Sequence, residues 1–347
     1  MPCRLTWVRA VLEVERFWVD PSAGARVGRA MLAPLELGYR AAMAIRNRLY
    51  DWRWLAVHES QVPTISVGNL SVGGTGKTPL AAYFVTRLLA RGATPGVVLR
   101  GYGGDEALVH AKLNVGARVV VDPDRVRGGA RAQALGCDVV VMDDAFQHRR
   151  AERLVDVVLV SAERYGERQR LLPAGPLREG LGSLRRASLV LVTRKAATSD
   201  DARSVAAGIL EWVGAPVGVA ALEPDRVIAA SSEGETTLRA LAGKRVIAVA
   251  GIADPQAFTA QLRAAGLHVE LLAYRDHHAF TTANVAQIVM AAKRCDAVLC
   301  TLKDAVKLTP LWPRSGPMLW YVSQRVVIEV GAEHVDAAID RILDARR

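Results

Sequence analysis

The chain has 347 residues, of which 51% are hydrophobic, and its 45 Lys and Arg against 35 Asp and Glu give a formal net charge of +10. That is enough apolar sequence to bury a sizeable core in one large α/β unit or two modest domains, without covalent staples. The charge favours an anionic partner, either nucleic acid, an acidic lipid surface or a phosphorylated substrate, and aromatics at only 5% that do not interleave with the basic runs argue against nucleic acid.

The first 55 residues read as amphipathic helices. Trp7, Val11, Val14 and Trp18 share one helical face, and Pro21 to Gly24 break the pattern. In the next segment, PLELGYRAAMAIRNRLYDWRW, the residues Leu35, Tyr39, Ala42, Met43 and Leu49 align, with Arg46 intruding on a long stem that suits snorkelling. Such a stripe serves equally a helix lying in a membrane interface and a helix docked on a core. No apolar run reaches the roughly 18 to 20 residues that span a bilayer, and Arg and Glu interrupt what a signal peptide would make its apolar region. The chain is therefore expected on the cytoplasmic side. Cys3, Cys137, Cys295 and Cys300 form no C-x-x-C pair and read as small buried hydrophobes in a reducing compartment.

From Thr64 onward, apolar strand-type runs alternate with helix-length segments: TISVG, a helix from about Gly76 to Arg91, GVVLR, ARVVV, CDVVVMD, VDVVLVS and ASLVLVT. This alternation predicts a mostly parallel sheet flanked by helices. A second series begins near Leu241 with KRVIAVAGI, a helix over Pro255 to Ala265, HVELLAY, a helix ending about Arg294, and DAVLCTL. The Ser-, Gly-, Glu- and Asp-rich stretch from Ala196 to Arg239 is the expected boundary. The expected organisation is N-terminal amphipathic helices over 1–55, a core domain over 56–225, and a smaller α/β domain over 226–347 that closes over the active-site cleft.

The chemistry concentrates in ISVGNLSVGGTGKTP, residues 65–79. After a strand, the backbone N–H groups of a Gly-rich turn and of the following helix bind phosphate, the lysine reaches β- and γ-oxygens, and the Thr hydroxyl ligates Mg²⁺. Gly73, Gly74 and Gly76 make that turn with Thr75 between them, and Lys77 and Thr78 stand in the last two roles. Ser71 replaces the first glycine of the usual pattern. VVVMDD supplies Asp143 and Asp144 where a metal-organising carboxylate is needed. Val72 precedes Gly73 where partition-type ATPases carry lysine, and Thr301-Leu302-Lys303-Asp304 has its lysine one place late for a guanine reader, so adenine is expected.

Phosphoryl transfer to an alcohol also needs a group that takes the hydroxyl proton. Two stretches offer one: RGYGGDEALVH, with Asp105 and Glu106 after a glycine turn, and YRDHHAF, with Asp276, His277 and His278 at a strand exit. Arginines are dense from Arg125 to Arg186, and guanidinium forks suit phosphate.

The ordered set PLELGYRAAMAIRNRLY, VGNLSVGGTGKTP, LRGYGGDE, PDRVRGGARA, VVVMDDAFQHRR, LLPAGPLRE, VAGIADPQAF, DHHAF and TLKDAVKL closely resembles the tetraacyldisaccharide 4'-kinase family over most of the chain. Ser71 matches that family's loop. The resemblance implies a P-loop NTPase-type fold and transfer of the ATP γ-phosphate to the 4'-hydroxyl of an acylated glucosamine disaccharide 1-phosphate in lipid A biosynthesis, by a peripheral protein on the cytoplasmic face of the inner membrane. ATP and Mg²⁺ are the implied cofactors, and no protein partner is expected. Lys77 and Thr78 would bind phosphates and metal, Asp143 or Asp144 would complete the metal site, and Asp105 would be the catalytic acid-base group assisted by His277, with His278 the alternative. Glu106, Arg125 and Gln147 fall on further active-site positions. Two other classes remain: a P-loop ATPase or soluble ATP-dependent ligase with a non-lipid acceptor, and a membrane-surface nucleotide switch.

Overall fold

The computed structural model describes residues 17–18, 20–101, 104–166, 169–231 and 233–346. Trp7, Val11 and Val14, and Cys3 with them, lie outside the described residues. Trp18 is buried and its indole N–H donates to Pro173 O at 2.9 Å. Helix α1 runs over Ala23–Met31, so Gly24 lies inside a helix whose N-cap is Ser22, and α2 follows over Ala33–Asp51.

The expected apolar stripe of α2 is divided. Tyr39 packs on the core and donates its hydroxyl to Arg178 O at 2.9 Å, Met43 and Leu49 are half-buried, but Leu35 and Ala42 face outward. Arg46 does not snorkel to the surface; its guanidinium donates to Gln147 O at 2.8 Å. The helix is docked mainly by polar contacts, which leaves part of its apolar surface uncovered. No described helix is long and apolar enough to cross a membrane.

Strands β1 (Thr64–Asn69), β2 (Pro95–Leu99), β3 (Arg118–Val121), β4 (Val139–Asp143), β5 (Val155–Ser161) and β6 (Leu189–Arg194) alternate with α3 (Lys77–Ala90), α4 (Asp105–Leu113) and α5 (Arg125–Ala134). They pair in parallel in the order β6-β5-β1-β4-β2-β3. β1, β2 and β4 are buried along their whole length, as continuous Val, Ile and Leu runs require when helices cover both faces. Phe84, Leu80 and Leu88 of α3 are fully buried against Ile65, Val141 and Leu191.

The polar stretch expected to hold the boundary forms α6 (Ser199–Val213) and the long strand β7 (Val217–Ala229). Part of its polar content caps the helix: Thr198 and Asp201 form a capping box. β8 (Glu235–Thr237) pairs antiparallel with β7. Beyond it lie β9 (Arg245–Ala250), α7 (Pro255–Ala264), β10 (His268–Ala273), α8 (Thr282–Ala292), β11 (Ala297–Thr301), α9 (Leu302–Leu308), β12 (Leu319–Val330) and α10 (Ala332–Asp344). Strands β10, β9, β11 and β12 are mutually parallel. All described strands belong to one twelve-stranded sheet.

The junction is the antiparallel pair β7 and β12. The start of β7 pairs with β6 and with the end of β12, and its end pairs with the start of β12, which in turn pairs with β11. β7 therefore climbs out of the first lobe past its carboxyl edge, and β12 returns from the second. Since the second lobe's strands run parallel to β12, the carboxyl edges of both lobes face each other across a cleft. The residue pair 225/226 falls inside β7, so the two lobes are joined through a strand and not a linker.

Candidate active site

Between β1 and α3 the chain turns through Ser71 to Gly76. Gly76 has φ of 87°, and a Cβ there would lie 2.3 Å from Leu222 Cδ1 on β7, so both the left-handed backbone and the packing demand glycine. Gly73 has φ of 116°, and the guanidinium of Arg164 occupies the place of its missing side chain. The turn is braced from below: Asn69 Nδ2 donates to Thr75 Oγ1 at 2.8 Å, Thr193 Oγ1 donates to Thr75 O at 3.0 Å, and Lys195 Nζ donates to Gly74 O at 2.6 Å. Within the loop Val72 N–H donates to Pro176 O at 2.8 Å and Thr75 N–H to Gly73 O at 3.1 Å, so the loop is preset while the glycine N–H groups and the start of α3 are left to face an anion.

The acidic wall stands beside it at the end of β4. Thr78 Oγ1 donates to Asp143 Oδ2 at 3.1 Å, and His110 Nε2 lies 3.0 Å from the same oxygen. Asn114 Nδ2 donates to His110 Nδ1 at 2.8 Å, which leaves the proton on Nε2 and makes that contact a donation to Asp143. Asp143 Oδ1 is buried with no hydrogen-bond partner. Asp144, at φ of 51°, is differently engaged: Arg178 Nη1 donates to both its oxygens at 2.9 and 3.0 Å, and Lys77 Nζ is 3.8 Å away. Desolvation pushes the Asp144 carboxyl up, but Lys77 and Arg178 bring it below its ordinary value. Among the described residues no three His, Cys, Asp or Glu gather as a metal cage. A metal here would rest on Thr78 and one or two carboxylates together with nucleotide oxygens, the way Mg²⁺ is commonly held, and the orphaned Asp143 Oδ1 fits that use.

Asp105 opens α4 after Gly104, next to this wall. Its side chain is 2% exposed, yet neither carboxylate oxygen has a hydrogen-bond partner. His277 Nδ1 approaches Oδ1 at 3.4 Å and Lys307 Nζ approaches Oδ2 at 3.6 Å, both too long for strong hydrogen bonds. Burial raises the Asp105 carboxyl, but the approach of His277 and the charges of Lys303 and Lys307 outweigh it and hold the group down to about 2. Glu106, one residue on, is raised by burial and by its neighbour Asp143. Arg125 is buried with Nη1 on Asp122 O at 3.0 Å and Nη2 on Asp143 O at 2.9 Å, which ties α5 to the end of β4.

His277 and His278 go different ways. His277 sits at φ of 54° and faces Asp105, whereas His278 stacks on Tyr274 at 4.9 Å and has Nε2 3.1 Å from Asn284 Oδ1. Gln147 is tied to the carboxyl end of β1, its Nε2 donating to Asn69 O at 2.8 Å. Sequence reasoning assigned no role to Arg178, His110, Lys303 or Lys307. Arg178 lies in LLPAGPLRE. His110 stands one helical turn after Glu106, and Lys303 and Lys307 are likewise one turn apart in TLKDAVKL, so i, i+4 spacing beside a strand end was the available signal.

A family model described as tetraacyldisaccharide-1-P 4'-kinase matches residues 28–344. The tetraacyldisaccharide 4'-kinase of Xanthomonas oryzae pv. oryzae (strain PXO99A) is 38% identical over 325 residues, covering 87% of this chain and 90% of the relative. The enzyme of the same name from Halorhodospira halophila (strain DSM 244 / SL1) is 36% identical over 352 residues, covering 96% and 97%. Among solved structures, the "apo" form of LpxK from Aquifex aeolicus in complex with ATP superimposes with a TM-score of 0.71 at 29% identity, over 90% of this chain and 99% of that one.

Proposed function

The chain belongs to the tetraacyldisaccharide-1-P 4'-kinase family, and on that premise we propose that it moves the γ-phosphoryl group of ATP to the 4'-hydroxyl of tetraacyldisaccharide 1-phosphate in the cleft between its lobes, with Asp105 taking the hydroxyl proton. It is an ATP-dependent kinase of lipid A biosynthesis with a P-loop α/β fold. The observation that carries the proton assignment is the Asp105 carboxylate: ionised, buried and, among the described residues, approached only at 3.4 and 3.6 Å, it keeps acceptor capacity for a partner supplied from outside the chain.

In this reading, the loop from Ser71 through Gly73, Gly74, Thr75 and Gly76 cradles the phosphates with its N–H groups and Lys77 neutralises the β- and γ-oxygens. Thr78 and Asp143 would hold Mg²⁺, which would supply positive charge to offset that developing on the transferring phosphoryl group; Asp144, already paired with Arg178 and Lys77, orients those cations. The acceptor oxygen bonds to the γ-phosphorus, its proton passes to Asp105, and the bond from the γ-phosphorus to the β–γ bridging oxygen breaks to release ADP. Residues 226–347 cover the cleft from the far side and bring His277 to Asp105. Glu106 and Arg125 line the acidic wall, and Gln147 and His278 support the site without reaching Asp105.

The test is transfer of label from γ-labelled ATP to detergent-dispersed tetraacyldisaccharide 1-phosphate. Label in the lipid, dependent on added lipid, is expected. Label only in free phosphate at the same rate with and without lipid would replace this reading with a P-loop ATPase or a ligase with another acceptor.

A membrane surface is the second half of the proposal. Met31, Leu35 and Trp54 are 76%, 62% and 74% exposed on α1, α2 and the turn that follows, with Arg40, Arg48 and Arg53 exposed among them. An uncovered apolar strip edged by arginine suits the headgroup boundary of an anionic bilayer, placing the cleft where an acylated substrate resides. Met31→Asp with Leu35→Asp is expected to weaken co-sedimentation with anionic phospholipid vesicles by roughly tenfold or more, since each apolar side chain contributes about 1.5–3 kcal/mol when buried. Co-sedimentation equal to the parent would remove this strip from the membrane contact.

A further inference from the structure

Two residues, Lys303 and Asp276, hold His277 from the side away from Asp105. Lys303, near the start of α9, places Nζ 3.0 Å from His277 Nε2 and 3.0 Å from Asp276 Oδ1. Asp276 Oδ1 also accepts the backbone N–H of His277 at 3.0 Å. The backbone at His277 sits in the left-handed region, which is uncommon for residues other than glycine. Asp276, His277 and Lys303 thus form a closed triangle that sets both the backbone and the ring.

The triangle has a protonic consequence. A lysine ammonium has donors and no acceptor, so a contact of 3.0 Å requires the lone pair of His277 Nε2 to face it. The alternative partner for an Nε2 proton, Asp276 Oδ2, is 3.9 Å away and outside hydrogen-bond range. The ring proton is then on Nδ1, the atom that points at Asp105 Oδ1.

We propose that Lys303 is a positioning residue that locks His277 in its Nδ1–H tautomer, so that His277 acts as a donor that orients the Asp105 carboxylate and not as a relay that accepts the substrate proton. The inference rests on the reading of Asp105 as the base and deepens it. With Nε2 capped by an ammonium and Nδ1 already protonated, the ring has no free site for a proton arriving from Asp105. The proton taken from the 4'-hydroxyl therefore passes through Asp105 to solvent and not to the ring, while the γ-phosphoryl bond forms and ADP departs.

The test is the ¹⁵N spectrum of histidine-labelled full-length protein at neutral pH, with the His277 signals assigned by their loss in His277→Ala. A lone-pair signature at Nε2 and a proton-bearing signature at Nδ1 are expected in the parent. In Lys303→Met the Nδ1–H population is expected to fall, the ratio of the two tautomers shifting about 10- to 100-fold, and kcat is expected to drop with it while KM for ATP is held. Lys303→Arg, which keeps a cationic donor, is expected to restore the parent signature in part. A proton on Nε2 in the parent overturns the inference, as does an unchanged tautomer in a folded Lys303→Met protein. Failure of the underlying reading looks different: Asp105→Asn would retain turnover whichever tautomer His277 shows.

Discussion

Asp105→Asn is expected to lower kcat by about two to four orders of magnitude with little change in KM for ATP, the span that a positioned general base contributes. The substitution keeps the size and shape of a side chain that is only 2% exposed, so the pocket is preserved, but it removes the carboxylate proposed to take the hydroxyl proton. Asn also presents an NH₂ group toward His277 Nδ1–H and Lys307 Nζ, both of them donors, so it is less well accommodated as well as inert. Because the parent carboxyl is held down to about 2, it stays ionised through the whole range in which the protein is assayed. A fall in kcat/KM between pH 7 and 5 in the parent must therefore come from another group. Steady-state label transfer measures both points, and a variant within tenfold of the parent would remove Asp105 from the reaction.

Phe84→Ala is expected to destabilise the fold by about 3–5 kcal/mol. Phe84 is among the largest fully buried side chains and sits mid-helix in α3, packed in the cluster that contains Ile65, Val67 and Val141. Its loss opens a cavity under the helix whose first turn carries Lys77 and Thr78, and a close-packed interior relaxes only partly around such a gap. Urea unfolding followed by circular dichroism gives the change, and a loss below about 1 kcal/mol would mean that the site collapses around the cavity. Saturating ATP should recover part of the lost stability, since a ligand that binds only the folded chain stabilises it by mass action.

Much of the fold was legible because its signals are local. Continuous apolar runs of strand length separated by helix-length segments give a covered parallel sheet, and the glycine, lysine and threonine of residues 73–78 carry backbone and phosphate requirements in their own identity. Asp143 and Asp144 were legible as strand-end carboxylates, but not their difference. That depends on Arg178, far along the chain, which occupies Asp144 and leaves Asp143 Oδ1 unpartnered. The capped helix and the long strand within residues 196–239 were not legible, because the pairing of β7 with β6 and β12 is non-local.

By itself, the sequence determined the phosphate loop, the alternation of strands and helices, and the short list of carboxylates and histidines able to move a proton. Each of these is written within a few residues, by glycine at positive φ, by periodicity, or by side-chain chemistry at a strand exit. The tertiary structure alone decided that two stretches about 170 residues apart work on one another. The antiparallel pairing of β7 with β12 reverses the second lobe so that its carboxyl edge faces that of the first. Only that reversal brings His277, Lys303 and Lys307 against Asp105, where two cations and an imidazole hold a buried carboxylate ionised.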